Sequence, residues 1–306
     1  GGKADVDARL LRAVDDPRRV LGEDGLRIMR LYRFVAVLGF SAEEKTAAAA
    51  REMSGLLGDI APERIRVELD KLLAGEHAAE GLRGLIGCGA MRVIMPEFCE
   101  NIGVKQDPAF HMYDVDEHIL RTVEYAPPRL RLAALLHDIG KGRCVREEGN
   151  MYRHAQVSAQ MAEEIMTRLR YSKEQTRRTV RLVAAHMTDM RGDMRESKLR
   201  RFVANNADII DDLTELIIAD ARAACGNADR EKCLRIARLR DKMQNEGVPF
   251  GVGELAINGN DVMAFGYKGE EIGKVLHELF DLCLRGEKKN ERKILLDILE
   301  KRKDAD

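Results

Sequence analysis

The chain has 306 residues, 45% of them hydrophobic and 34% charged, with a formal net charge of -1. That length exceeds what one compact core serves, so two or three units are expected. The lack of any long uncharged apolar run excludes a membrane-spanning helix, and the balanced charge excludes nucleic-acid binding driven by the field of the whole molecule, leaving local patches. Six cysteines (Cys88, Cys99, Cys144, Cys225, Cys233, Cys283) stand without a CxxC pair and no secretion signal opens the chain, so free thiols in a cytoplasmic setting are expected. The chain begins Gly1-Gly2 without Met, in mid-pattern, and reads as a piece of a longer protein.

Apolar residues recur at three-to-four-residue spacing almost throughout, and alternating β-type runs are missing, which predicts an all-α fold, an elongated array of many helices. A first helix is predicted over 22–38, with Asp24 near its start, Leu26, Ile28, Leu31, Tyr32 and Val35 supplying apolar surface, and Gly39 stopping it. Arg27, Arg30 and Arg33 follow at i, i+3, i+6 as one cationic stripe. Pro62 opens a helix over 62–74, and Pro96 closes a short helical pair near 80–95. Further helices are predicted near 112–125, 129–139, 154–170, 173–187 and 208–224, the fourth supported by the capping-box spacing of Ser172 and Gln175. A loop with Gly247, Pro249, Gly251 and Gly253 precedes a tail of two or three helices. These breaks divide the chain into a segment 1–75, a helical connector 76–103, a central unit 104–225 and a tail 226–306.

Within the central unit, groups costly to bury unsatisfied occupy positions where Leu and Val would be expected. His118 lies beside Val115 and Ile119, with His111 seven residues earlier near the same face. His137 and Asp138 end the apolar run from Leu130, just before Gly140. His154 continues the stripe of Val157, Met161 and Ile165; His186 continues Leu182 and Val183; Asp220 continues Leu213, Leu216 and Ile217. Taken singly, each is better read as structural, a hydrogen-bonded core histidine or an Asp paired with an Arg. Taken together, they form a mixed nitrogen and oxygen ligand set suited to a divalent metal such as Zn, Fe, Mn, Co or Ni.

The order His118, His137-Asp138, Asp220, with the string Leu135-Leu136-His137-Asp138-Ile139-Gly140-Lys141, resembles the HD superfamily of metal-dependent phosphohydrolases. The resemblance implies a central HD-type helical domain in which His118, His137, Asp138 and Asp220 hold one divalent ion (Mg, Mn, Ni or Fe) and His154 and His186 a second. His137, Asp138 and Lys141 would then carry catalysis, with Lys141 and Arg143 near the phosphate.

The flanks are similar to another set of motifs. Asp15-Asp16-Pro17, Glu23-Asp24-Gly25-Leu26-Arg27-Ile28-Met29-Arg30, Leu38-Gly39-Phe40, Pro62-Glu63-Arg64-Ile65-Arg66-Val67-Glu68-Leu69 and Ile257-Asn258-Gly259-Asn260-Asp261-Val262 resemble the neck and tail of the class II tRNA nucleotidyltransferase and poly(A) polymerase family, which includes the CCA-adding enzymes. The resemblance covers essentially the whole chain. It implies tRNA or other RNA 3' ends as partners and CTP or ATP as substrates of the intact protein. Asp24 and Arg27 would read the base edge and Arg30 would support phosphate or base packing, a carboxylate acceptor and a guanidinium donor fork being able to pair with a base. The plain alternative is an acidic helix start followed by a solvated Arg stripe. Family members begin with a mixed α/β head carrying a Gly-Ser loop and an Asp-x-Asp pair. No such head is seen here, Asp5-Val6-Asp7 and Asp114-Val115-Asp116 read as solvated, and Gly1-Gly2 is expected to mark the end of the missing head.

RNA contact would fall to local charge. Arg285 to Lys303 holds eight basic and four acidic residues, and Arg177 to Arg201 eight basic and three acidic, so each stretch is a candidate phosphate-binding patch. Three readings result: the neck, HD and tail portion of a tRNA nucleotidyltransferase or poly(A) polymerase; a metal phosphohydrolase of 2',3'-cyclic phosphodiesterase or phosphatase type; and a helical RNA clamp without metal.

Overall fold

The computed structural model describes residues 2–226 and 229–303, the last by its backbone alone, so Gly1 and the Lys303 side chain lie outside the described residues. Helices dominate, and the strands among the described residues are Leu10–Leu11 and Ser41–Ala42, paired in parallel with Leu10 opposite Ser41. Two compact units form: the chain up to Thr188 with Glu215–Asp229, and Asp189–Thr214 with the chain from Arg230 onward. No helix among the described residues is long and apolar enough to cross a membrane.

In the first unit, the helix predicted over 22–38 is two helices, Pro17–Glu23 and Leu26–Leu38. The earlier one starts where Pro17 sits at the first helical position and the Asp16 carboxylate accepts the Arg19 N–H at 2.9 Å. It ends at Asp24, whose extended backbone (φ -154°, ψ 107°) breaks the helix and whose Oδ1 accepts the Leu26 N–H at 3.1 Å. Gly39, at φ +65°, closes the second helix. Ile28, Met29, Tyr32 and Ala36 bury one face of it. The helix Pro62–Ala74 has the predicted bounds, and Ala78–Gly87 and Ala90–Ile94 follow. The helix Glu44–Glu52 has no counterpart in the sequence pattern: its core face is Thr46, Ala49 and Ala50, too small to print an apolar stripe.

The helix expected over 129–139 runs only from Arg131 to Leu136, and the chain turns through 137–140 before a further helix, Lys141–Glu148. Arg131, 7% exposed, anchors the start of this short helix, donating to the carbonyls of Ala126 at 3.2 Å and Leu73 at 2.8 Å, and to that of Gly75. Helices Val115–Tyr125, His154–Arg168, Lys173–Ala185 and Ile210–Cys225 complete the frame, the last contributing its part from Glu215. Ser172 and Gln175 form a complete capping box.

The second unit contains two helices that the sequence pattern hid, Glu196–Asn206 and Arg235–Asn245, followed by Gly259–Ala264, Glu270–Leu284 and Arg292–Lys303. Their buried stripes are short (Leu199 and Val203; Ile236, Leu239 and Met243) and embedded in charge, so they read as basic surface. Arg200, 6% exposed, is engaged with Glu196 at 3.0 Å and Glu246 at 3.3 Å, which removes it from the cationic patch expected there.

Candidate metal centre

The turn 137–140 places two donors at one point because the backbone around it is held on both sides. Asn101, fully buried, donates through Nδ2 to the Ile139 carbonyl at 2.9 Å and accepts the Gly142 N–H on Oδ1 at 2.8 Å. Ser158 Oγ accepts the Gly140 N–H at 2.9 Å. The approach is so close that a Cβ on Gly140 would lie 2.7 Å from the Ser158 nitrogen, and one on Gly142 2.2 Å from the Glu100 carbonyl oxygen.

Three histidines are then oriented by the same local device. His137, His154 and His186 each donate Nδ1–H to the carbonyl three residues earlier (Ala134, Met151 and Val183), each at 2.7 Å. A carbonyl only accepts, so the proton is on Nδ1 and Nε2 is turned inward. There His137 Nε2 faces His118 Nε2 at 3.3 Å, and His154 Nε2 faces His186 Nε2 at 3.3 Å.

Asp138, 1% exposed, stands between the two pairs. Its Oδ2 lies 3.2 Å from both His118 Nε2 and His137 Nε2, and its Oδ1 lies 3.2 Å from His154 Nε2 and 3.5 Å from His186 Nε2. Asp220 Oδ1 closes the first group at 3.0 Å from His118 Nε2 and 3.7 Å from His137 Nε2. Lys141 Nζ, also buried, bridges Asp138 Oδ2 at 2.6 Å and Gln106 Oε1 at 2.7 Å. All six residues named from sequence as ligands therefore meet at one place, with ligand atoms grouped within 4.8 Å as His118, His137 and Asp138, as His137, His186 and Asp220, and as Asp138, His154 and His186.

This donor set fits a divalent cation. Pairs of imidazole lone pairs facing each other beside carboxylate oxygens repel unless positive charge lies among them, and Asp138 Oδ1 is buried without a hydrogen-bond partner. Without an ion, protons supply that charge. Burial opposes charge on His118 and His137, yet Asp138 and Asp220 outweigh it and raise both, His137 to about 10. Burial likewise works against the carboxylates, but His137 and Lys141 hold Asp138, and the His118 and His137 pair holds Asp220, well below the usual carboxylate range. His186 is pulled below its ordinary value by burial. One residue belongs here that the ligand pattern left out. His111, on the loop before the Val115–Tyr125 helix, lies edge-on to His118 with ring centroids 5.2 Å apart, and burial, then Lys141 and His118, lowers its pKa to about 4. Asn101 and Ser158 carried no sequence signal at all: an Asn before a loop and a Ser in a helix are ordinary.

The residues expected to read a base lie elsewhere in the first unit. Asp24 precedes the Leu26–Leu38 helix instead of riding its first turn, and its Oδ2 pairs with Arg64 at 2.8 Å. Arg27 pairs with Glu23 at 2.6 Å, and Arg30 is exposed. Burial pushes the Asp24 carboxyl up, but the bonds from Arg64 and the Leu26 N–H bring it below its ordinary value.

A family model described as a probable RNA- and SrmB-binding site of polymerase A matches residues 39–102, and the HD domain model matches residues 110–239. The chain is 33% identical to the A-adding tRNA nucleotidyltransferase of Deinococcus radiodurans over 309 residues, which is 94% of this chain and 70% of that protein. It is 32% identical to the CC-adding tRNA nucleotidyltransferase of Thermus thermophilus, over 94% of this chain and 68% of that protein. The chain belongs to the tRNA nucleotidyltransferase family. Its fold is that of the Bacillus stearothermophilus CCA-adding enzyme solved with CTP, with a TM-score of 0.61 at 22% identity over 100% of this chain and 68% of that one. A Thermotoga maritima CCA-adding enzyme solved with tRNA superimposes with a TM-score of 0.53 at 18% identity, over 99% of this chain and 66% of that one. The family's neck, HD and tail regions are thus all represented in this chain.

Proposed function

We propose that this member of the tRNA nucleotidyltransferase family serves tRNA 3'-end processing in the cytoplasm, with 1–75 as a neck that recognises the nucleotide, 76–103 as a connector, 104–225 as the HD domain and 226–306 as an RNA-binding tail. The observation that carries this reading is the identity to A-adding and CC-adding enzymes over nearly the full chain. In the neck, Asp24 and Arg27 read the edge of CTP or ATP and Arg30 supports phosphate or base packing. Arg64 on Asp24 and Glu23 on Arg27 fix both side chains in place, which favours selection by shape and hydrogen-bond pattern over simple charge attraction. Binding of labelled tRNA against a salt series tests the assignment: affinity well above that for an unrelated duplex is expected, and equal affinity would remove it.

A second reading is favoured by the completeness of the ligand set. His118, His137, Asp138 and Asp220 are suited to one divalent ion and Asp138, His154 and His186 to another, with Asp138 shared; Mg, Mn, Ni or Fe is the expected metal. An ion there supplies Lewis acidity for hydrolysis of a phosphate ester such as a 2',3'-cyclic phosphate at an RNA end. The residues themselves hold their donors inward through the three carbonyl contacts, and Lys141 balances the Asp138 charge. Because its ammonium is occupied by Asp138 and Gln106, Lys141 acts on the carboxylate first and on substrate phosphate only if Gln106 gives way. Metal analysis, followed by turnover of a 2',3'-cyclic nucleotide with added Ni, Mn or Mg, tests this reading, and a chain that binds no ion and turns nothing over contradicts it.

A further inference from the structure

The loop 103–114 is built in an unusual way for a segment beside a buried polar centre. Asp107 starts a tight turn: its Oδ1 accepts the Ala109 N–H at 2.9 Å and its carbonyl accepts the N–H groups of Phe110 and His111, each at 3.0 Å. The loop is tied down again where Met112 N–H donates at 2.8 Å to the carbonyl of Ala224, one helical turn beyond Asp220. Between these ties Phe110 and Met112 are left 67% and 64% exposed, while His111 between them turns inward against His118. Two large apolar side chains are thus held in solvent so that one imidazole can face the centre, an arrangement that apolar burial alone would reverse.

The inward imidazole is not satisfied by the protein. His111 Nδ1 is buried and has no hydrogen-bond partner, and an unmet buried polar group carries a desolvation penalty. Nor does it serve as a ligand: among the described residues, the groups of ligand atoms within 4.8 Å of one another are drawn from His118, His137, Asp138, His154, His186 and Asp220, and His111 is in none of them. His118 Nδ1 is also buried and unpartnered, but His118 belongs to that set through Nε2, and Lys141 is bonded twice, so His111 is the unpartnered imidazole outside the ligand set.

We propose that His111 is the substrate-contacting residue of this centre, its Nδ1–H donating to a phosphoryl oxygen of a bound phosphate ester. The inference rests on the phosphohydrolase reading and adds to it the residue that tells a bound phosphate ester from an ion alone. A substrate phosphate would then meet the protein through one rigid imidazole presented by a loop tied at both ends, and the loop, not the ligand set, would decide which esters are accepted.

The experiment uses the full chain loaded with Mn, in wild-type form and as His111→Ala, His111→Asn and His111→Gln, with circular dichroism to verify folding. Three quantities are read: Mn affinity and stoichiometry by calorimetry, affinity for inorganic phosphate, and turnover of a 2',3'-cyclic nucleotide. The asparagine amide nitrogen reproduces the place of Nδ1, whereas the glutamine amide reproduces that of Nε2. Mn binding is therefore expected to be unchanged in all variants. Phosphate affinity and kcat/KM are expected to fall about ten- to a hundredfold in His111→Ala and His111→Gln, the range for a hydrogen bond to a charged oxygen, and to recover in His111→Asn. Loss of Mn in His111→Ala would make His111 a ligand and overturn the proposal, as would unchanged phosphate affinity and turnover, or rescue by Gln instead of Asn. A wild-type chain that binds Mn and phosphate nowhere and turns nothing over would sink the phosphohydrolase reading and this inference with it, an outcome distinct from a wild type that works and a variant that works equally well.

Discussion

Asp138 has one carboxylate and two jobs, since each oxygen faces a different pair of imidazoles and Oδ2 also receives Lys141. Its removal strands positive charge in the interior, so Asp138→Ala in the presence of chelator is expected to cost about 3–5 kcal/mol in urea unfolding, as for a broken buried ion pair. A cost below about 1 kcal/mol would show that His118 and His137 are not charged in the ion-free protein. The same charge predicts a pH trend. His137 is raised from 6.5 to about 10, so its contribution is complete below about 6.5 and is lost as pH rises through about 10. Asp138 and Asp220 are depressed and lose their contribution only in acid, below the ordinary carboxylate value of about 3.9. With chelator present, the melting temperature should therefore fall between pH 6.5 and pH 10. Saturating divalent ion should flatten that fall, because the ion takes the place of the protons. A melting temperature that climbs over this range in chelator would contradict the charge assignment. At this scale the sequence was highly informative: six polar residues standing on apolar stripes are improbable unless they share a purpose. It was silent about Asn101 and Ser158, whose role arises only when two distant segments close on one turn.

Elements were readable where an apolar stripe coincided with a cap, as in Pro62–Ala74 and in Lys173–Ala185 with its Ser172 box. They were misread where local chemistry competed with periodicity: Asp24 splits what looks like one helix, and the turn at 137–140 interrupts another because its backbone bonds sideways to Asn101 and Ser158. Helices built on alanine or rich in arginine left no stripe to read. The turn gives a direct contrast. Gly142→Ala would set a methyl 2.2 Å from the Glu100 carbonyl oxygen, whereas a methyl at Gly55 meets nothing within 4 Å. Gly142→Ala is expected to lower stability by about 1–3 kcal/mol and to weaken divalent-ion binding, with Gly55→Ala close to neutral, measured by urea unfolding and ion titration. Equal effects at both positions would mean that the turn is not held as tightly as its hydrogen bonds indicate. Ser172→Ala, in turn, should cost about 1 kcal/mol without touching ion affinity, since it removes only the cap.

At the scale of the whole molecule, a net charge of -1 leaves RNA affinity to patches, and the ion pairs narrow the choice. In the tail, Arg285 pairs with Glu287, Arg292 with Asp261 and Arg302 with Glu278, while Lys288 is exposed and Lys289 lies 3.9 Å from Glu291. Arg285, Lys288 and Lys289 line one cleft together with Ser197. Replacing all three by alanine should weaken tRNA binding and reduce the slope of log affinity against log salt by about 2–3, near one unit for each phosphate no longer neutralised. An unchanged slope would place the RNA backbone elsewhere on the surface. Fold class was legible because helical spacing repeats along the whole chain, and the family through the resemblance of its motifs; where the two units divide was not, because Asp189–Thr214 packs with the chain beyond Arg230 and no composition change marks it.

The proposed divalent-cation centre draws two histidine pairs and two carboxylates from separate segments of the chain and is organised by Asp138. Calorimetric titration of chelator-treated protein with Mn tests it most directly, in wild type and in Asp138→Asn. Two buried-site ions per chain in the wild type, and loss of both in the variant, are the predicted result. Binding that is absent, or that survives unchanged when Asp138 loses its charge, would rule out a centre shared through this carboxylate.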